Sequence, residues 1–244
     1  MDSKRITHVL FDVDGLLLGE ISFLTGRFAQ AMILLDTEAL YTEVTQEIVA
    51  PYGKTFDWDV KVKMMGRPPI QSSQILVDEL ELPITAEEYL QIAAERFAAA
   101  FPRANLMPGV EKVVRYFETN AIPMALATGS SAINYEQKIS RHREFFKIFT
   151  HVVAGDDPEV KAGKPAPDVY LQAAQRFSPP SPNPGNVLVF EDAPNGIEAA
   201  RAAGMWTVMV PDQRMDPQLC KNAHSVIKSL EDFNPTEWNL PPYK

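Results

Sequence analysis

After Pro108 the sequence alternates short apolar, β-branched runs with stretches of helical period, and few folds are open to a chain written that way. The runs are Pro123–Ala127, His151–Ala154, Asn186–Phe190 and Thr207–Val210, with a fifth, Thr7–Phe11, far upstream. Gly109–Thr119, Asp168–Arg176 and Asn195–Ala203 fall among them and carry apolar residues at i, i+3 and i+4. Strands alternating with helices predict an α/β fold: a Rossmann-like parallel sheet with right-handed crossovers. In such a sheet the ligand site lies beyond the carboxyl ends of the strands.

A long stretch separates the first strand from the second, and most of it reads as helix: Thr37–Ala50, Asp57–Met64, Ile70–Glu79 and Ala86–Ala100. Helices inserted at that point predict a cap over the site, able to exclude water and to supply substrate contacts. A helical subdomain with a purely structural role is the alternative. Ser178–Gly185, rich in proline, reads as a stiff surface loop.

Four segments with chemical potential all sit at predicted strand ends. The first is Phe11-Asp12-Val13-Asp14-Gly15. Carboxylates at i and i+2 on extended chain point to one side of the strand and repel unless a cation lies between them. A hard divalent ion such as Mg2+ suits that geometry, leaving one aspartate to attack an electrophile and the other to handle a proton. By itself the motif could equally be an acidic turn. The second segment ends in Thr128-Gly129-Ser130, a hydroxyl followed by a glycine turn whose N–H groups can bind phosphate oxygens. In the third, Gly163-Lys164-Pro165, a lysine is held where it can neutralise phosphoryl charge, with Asp168 expected to cap the next helix. The fourth is Glu191-Asp192-Ala193-Pro194-Asn195-Gly196. Acidic residues ending a buried strand need a cation or donors, so Asp192 is expected to complete a metal site and Glu191 to accept hydrogen bonds behind it.

The net charge of −9 argues against a nucleic-acid partner, which would call for a basic face. An acidic protein with an anionic substrate must concentrate positive charge locally, by metal and lysine. The single cysteine, Cys220, excludes an internal disulfide and fits a reducing compartment. No segment reads as a signal peptide or a membrane span, and a cytoplasmic location with no membrane partner is the expectation.

Taken in order, DxDG, a strand-ending Thr, Gly-Lys-Pro and Glu-Asp before Asn-Gly resemble the haloacid dehalogenase superfamily of phosphatases over essentially the whole chain. Lys138–Phe146, Gly155–Val160, Phe177–Pro180 and the tail around Leu240-Pro241 are similar to the pseudouridine-5′-phosphatases of that superfamily. The resemblance implies a core of residues 1–18 and 106–244 with a helical cap of residues 36–105. It implies Asp12 as the nucleophile that becomes an aspartyl-phosphate and Asp14 as the acid–base. Mg2+ would be held by Asp12, the Asp14 backbone carbonyl and Asp192. Thr128, Gly129, Lys164 and Asn195 would bind the substrate, a small phosphomonoester, with pseudouridine 5′-monophosphate the implied one. A related sugar-phosphate or nucleotide phosphatase, or a phosphomutase, is the alternative. A mutase would need cap residues to hold a bis-phosphate, and the first half of the cap offers only Lys54, Lys61, Lys63 and Arg67.

One block departs from the family pattern. Residues 19–35 stand between Asp-Gly-Leu-Leu-Leu18 and Asp36-Thr37-Glu38, and excising them gives DGLLLDTEALY, the family's hinge. Gly19-Glu20 can be encoded by GGTGAG and Leu34-Leu35-Asp36 by CTTTTAGAT, which contain the forms of a splice donor and acceptor, and joining across them regenerates aspartate. Two readings stay open: a retained short intron, or a lineage-specific loop at the cap hinge. A non-enzymatic binding protein, or a catalytically impaired product in which the hinge insertion prevents the cap from closing, is the further alternative.

Overall fold

The structure, a computed structural model, describes residues 5–21, 34–64, 69–178 and 182–244. Arg67, part of the expected Ser178–Gly185 loop and the middle of the inserted block lie outside these residues. The first strand, β1 (His8–Phe11), is followed by β2 (Leu18–Ile21) and β3 (Leu34–Asp36). Four helices come next: α1 (Thr37–Val49), α2 (Trp58–Met64), α3 (Pro69–Leu80) and α4 (Ala86–Ala100). The chain then runs through β4 (Asn105–Leu106), α5 (Val110–Thr119), β5 (Met124–Ala127), α6 (Ala132–Lys138), α7 (Arg143–Phe146) and β6 (Val152–Val153). It ends with α8 (Asp168–Gln175), β7 (Val187–Glu191), α9 (Pro194–Ala202), β8 (Trp206–Met209) and β9 (Ser225–Val226), interspersed with short 3-10 turns.

The six-stranded sheet has the order β6-β5-β1-β7-β8-β9, and its strands pair in parallel throughout. Chain order runs outward from β1 to one edge and then resumes with β7 on its other side. The switch point of this doubly wound sheet therefore lies between β1 and β7, where a ligand crevice opens. The five strands expected from apolar runs all form, with ends within two residues of expectation.

Period-two alternation sorts the strand side chains onto the two faces of the sheet. Val9, Phe11, Leu126, Leu188, Phe190 and Val208 face one side, where Val113, Val114 and Phe117 of α5 meet them. Leu10, Ala125, Val187 and Val189 face the other, packed against Val169, Tyr170 and Ala173 of α8 and Ala199 and Ala200 of α9. Helix α5 forms because Val110, Val113, Val114 and Phe117 recur on one stripe. Phe11 and Phe190, partners in the β1–β7 register, stack at 4.8 Å and 8°. Both are fully buried, each such ring being worth about 1.5–3 kcal/mol.

Helices α1–α4 are inserted between β1 and β5, and Thr85 and Glu88 open α4 with a reciprocal capping box. A small antiparallel sheet of order β3-β2-β4 forms the neck of this insertion. Leu18 pairs with Leu106, and Gly19 pairs with both Asn105 and Asp36. The two ends of the block 19–35 thus meet across one rung. This sheet, β9 and helices α6 and α7 were not anticipated from periodicity. No helix among the described residues is long and apolar enough to cross a membrane.

Candidate active site

Strand β1 delivers Asp12 to the switch point, where its N–H donates to the Phe190 carbonyl at 3.0 Å. The side chain is almost entirely buried, and the Lys164 ammonium donates to Oδ1 at 2.5 Å. The same ammonium donates to Oε1 of Glu191 at 2.7 Å and to the Ala127 carbonyl at 3.2 Å, and it lies 4.9 Å over the Tyr170 ring. Burial, with Glu191 and Asp14 adding their negative charge against Lys164, pushes the Asp12 carboxyl up to about 7. Burial also works against the Glu191 carboxylate, but Lys164 and the surrounding donors outweigh it and hold that carboxyl below its usual range.

Glu191 is held on both oxygens. Oε1 accepts from Lys164 and from the Tyr170 hydroxyl at 2.8 Å, and Oε2 accepts from the N–H groups of Asp192 and Ala193 at 2.9 Å each. Helix α9 can close this tightly because position 196 is glycine. A Cβ there would overlap the Glu191 carboxylate. Gly15 has φ +68°, and a Cβ on it would overlap the carboxylate of Asp192. The turn after Asp14 thus brings backbone against Asp192, and only glycine allows that approach.

Asp14 faces a separate group of donors. Lys138 donates to its Oδ1 at 2.6 Å and the Ser130 hydroxyl donates to its Oδ2 at 2.8 Å. Thr128 is fully buried at the end of β5, with its Oγ1 accepting the Ser130 N–H at 3.0 Å. Asn195 accepts the Gly196 N–H at 3.0 Å through Oδ1. Asp12, Asp14, Thr128, Gly129, Lys164, Glu191, Asp192 and Asn195 all line one cavity of about 450 Å3, so every site residue expected from sequence converges there. Tyr41 of α1 and Pro69 of α3 form part of the same wall.

The donor set suits a hard divalent cation. One carboxylate oxygen from each of Asp12, Glu191 and Asp192 lies within 4.8 Å of the others. Glu191 spends both oxygens on protein donors, which leaves Asp12 and Asp192 as the carboxylates suited to an ion. Burial, and after it the charges of Glu191 and Asp14, raise the Asp12 carboxyl, and a cation held there would oppose that rise.

Sequence reasoning gave no role to Lys138, Tyr41 or the Ser130 hydroxyl, and it assigned Asp168 the wrong partner. Asp168 does not cap α8. Its Oδ2 accepts the N–H groups of Lys161 and Ala162, at 2.9 and 3.0 Å, tying down the loop that carries Lys164. The side chain folds back because the preceding loop offers two N–H groups to one oxygen.

A second cavity, of about 370 Å3, adjoins the first and shares Tyr41 and Pro69 with it. Five of its fifteen lining residues are aromatic, Tyr41, Phe56, Tyr89, Phe97 and Phe101, and Lys61, Thr45, Ser72, Ser73 and Asn134 supply polar groups. Tyr41, Phe97 and Phe101 form a continuous aromatic surface, with ring centroids 4.7 Å apart for Tyr41–Phe97 and 5.5 Å for Phe97–Phe101.

Comparison with known proteins bears on this constellation. Residues 6–204 match the model of the haloacid dehalogenase-like hydrolases. The chain is 45% identical over 241 residues to the mitochondrial (DL)-glycerol-3-phosphatase 1 of Arabidopsis thaliana, covering 98% of this chain and 75% of that protein. It is 42% identical over 241 residues to a probable pseudouridine-5′-phosphatase of Drosophila melanogaster, covering 98% and 96%. A haloacid dehalogenase-family hydrolase from Deinococcus radiodurans, solved with phosphate and sodium, superposes with a TM-score of 0.73 at 22% identity, covering 99% of this chain and 100% of that one.

Proposed function

This chain belongs to the haloacid dehalogenase-like hydrolases and is a phosphoric monoester hydrolase, and on that premise we propose that it hydrolyses pseudouridine 5′-monophosphate through an aspartyl-phosphate on Asp12, with Mg2+ as cofactor. The substrate assignment rests on the second cavity. In this reading a flat base would stack on the aromatic rings of that cavity and its phosphate would reach Asp12 past Tyr41 and Pro69, which line both cavities. Glycerol 3-phosphate, suggested by the 45% identical relative, is the rival, and its short polyol would leave most of the aromatic cavity unfilled.

In this mechanism an Asp12 oxygen attacks phosphorus in line, and Asp14 gives a proton to the departing ribose oxygen. Asp14 then takes a proton from the water that attacks the acyl phosphate, which restores Asp12 and releases inorganic phosphate. Lys164, Thr128, the N–H groups about Gly129 and Asn195 hold the phosphoryl oxygens, and Glu191 keeps Lys164 in position. Asp12, Asp192 and the Asp14 carbonyl would hold Mg2+, which when bound neutralises the charge spread over the transferring group. Residues 36–105 act as a cap on a core of residues 1–18 and 106–244, and its closure excludes water.

The test is kcat/KM for pseudouridine 5′-phosphate, uridine 5′-phosphate and glycerol 3-phosphate, measured side by side with Mg2+. We expect the first to exceed the others by about tenfold or more. Equal or faster turnover of glycerol 3-phosphate would overturn the substrate and leave the phosphatase standing.

A further inference from the structure

Lys138 is wholly buried, at 0% exposure, in the last turn of α6. Its ammonium has three N–H donors and meets three acceptors: Asp14 Oδ1 at 2.6 Å, Ser130 Oγ at 2.7 Å and the Tyr41 hydroxyl at 3.2 Å. It lies 4.6 Å over the Phe101 ring and 5.2 Å over that of Tyr41. Because Ser130 donates to the second oxygen of Asp14, the carboxylate is clamped on both sides by groups that also bond each other. Three parts of the molecule meet at this ammonium. Asp14 comes from the turn after β1, Ser130 and Lys138 from the β5–α6 segment, and Tyr41 and Phe101 from the inserted helical region. A buried ammonium is costly unless it is paired, and an apolar side chain would fill the space without that cost. Burial opposes the charge, but the Asp14 carboxylate and Tyr41 outweigh it and hold the lysine above its usual range.

We propose that Lys138 is a positioning residue for the leaving-group step: with Ser130 it fixes the direction in which Asp14 presents its carboxyl, and through Tyr41 it makes that direction depend on the seating of α1. The inference rests on the acid–base role of Asp14 given above. It assigns Lys138 no contact with substrate and no proton of its own to transfer.

The experiment compares kcat/KM on two kinds of substrate, since that constant reports phosphoryl transfer to Asp12. An alkyl phosphomonoester such as pseudouridine 5′-phosphate or glycerol 3-phosphate needs its leaving oxygen protonated. p-Nitrophenyl phosphate does not. Lys138→Met is expected to lose about 100-fold or more on the alkyl ester and less than about fivefold on the aryl ester. Asp14→Asn should show the same asymmetry, and the double variant should be no worse than Asp14→Asn alone. Ser130→Ala and Tyr41→Phe, each removing one hydroxyl, should show weaker forms of it and supply the reading if Lys138→Met does not fold. Equal losses on both esters would make Lys138 a structural ion pair and overturn the proposal, as would no loss at all. If Asp14→Asn shows no asymmetry, the acid–base reading itself fails. If Asp14→Asn shows it and the Lys138, Ser130 and Tyr41 variants do not, only the positioning role fails.

Discussion

Lys164 stands 2.5 Å from Asp12 and gives the same ammonium to Glu191 at 2.7 Å, so two buried carboxylates share one positive charge. Glu191 collects three further hydrogen bonds, from Tyr170 and from the N–H groups of Asp192 and Ala193, and stays ionised. Asp12, buried and holding only a share of that ammonium, is the one whose carboxyl is raised.

The burial of Asp12 beside that shared charge has a pH signature. Unfolded, Asp12 titrates near 3.8, and in the fold its carboxyl is pushed up to about 7. Between those values the folded state binds more protons than the unfolded one, so the group's contribution is fully present below pH 4, is lost as pH rises towards 7 and is flat above that. At about 1.4 kcal/mol per unit the loss is on the order of 4 kcal/mol. In chelator, Tm should fall from pH 5 to pH 7.5, Asp12→Asn should flatten the slope, and Mg2+ should raise Tm more at pH 8 than at pH 5.5. A Tm in chelator that rises over this range would refute the raised Asp12 carboxyl.

Asp12→Asn should abolish turnover and leave the fold intact, because the amide cannot form the acyl phosphate. Rapid quenching of the wild-type enzyme with labelled substrate should trap phosphate on Asp12 alone. Label on another residue would remove Asp12 from the mechanism. Chelation should stop hydrolysis and Mg2+ restore it, whereas Ca2+, larger and taking more ligands, should bind without supporting full turnover.

Gly196→Ala tests how closely α9 approaches Glu191. The added methyl would overlap the carboxylate, so either the helix or Glu191 must move, and Lys164 moves with it. A stability loss of about 2–4 kcal/mol is expected, with kcat falling more than KM rises. Wild-type kcat in a stable Gly196→Ala protein would show that Glu191 does not hold Lys164 for catalysis.

Residues 19–35 leave and return across a single rung, Gly19 opposite Asp36. Removing them joins Leu18 to Asp36 while Leu18 keeps its partner Leu106 and α1 still begins at Thr37. Loop length changes closure entropy only slowly, about 0.6 kcal/mol per doubling, so the deletion should fold with similar Tm. The hinge is where cap closure is absorbed, and the shortened protein should turn over substrate much faster. Most transcripts are expected to lack the segment. Equal activity of the two forms, with the segment present in every transcript, would make it a genuine part of the enzyme.

The strands were legible because β1, β5 and β7 are apolar on both faces and bounded by turn residues, as parallel strands covered on both sides must be. Asp12, Asp14, Thr128, Gly129, Glu191 and Asp192 were legible because each ends one of these strands or lies in the turn after it, whereas Lys164, in the loop between β6 and α8, and Asn195, in the first turn of α9, were legible only from the Gly-Lys-Pro and Asn-Gly motifs. Helix α6 was not. Its sequence, AINYEQK, has no apolar stripe of sufficient length, and the N-cap hydroxyl of Ser131 is its main local signal. Lys138 was hidden for the same reason. Burial of a lysine is decided by Asp14 and Tyr41, distant in sequence, and nothing local announces it. Asp168 misled because a carboxylate at a helix start has two possible uses, and the loop before it competed for the same oxygen.

Phe11 and Phe190 stack directly before Asp12, where the chain leaves β1, and Glu191, the last residue of β7. Each catalytic segment thus begins from a ring that cannot slide without displacing its neighbour, and Phe117 and Phe233 wedge the pair from the side. Oil, on this view, sets the tolerance of the machine: a cavity made under the sheet would surface as a misaligned nucleophile and slower chemistry, with substrate still bound as tightly as before.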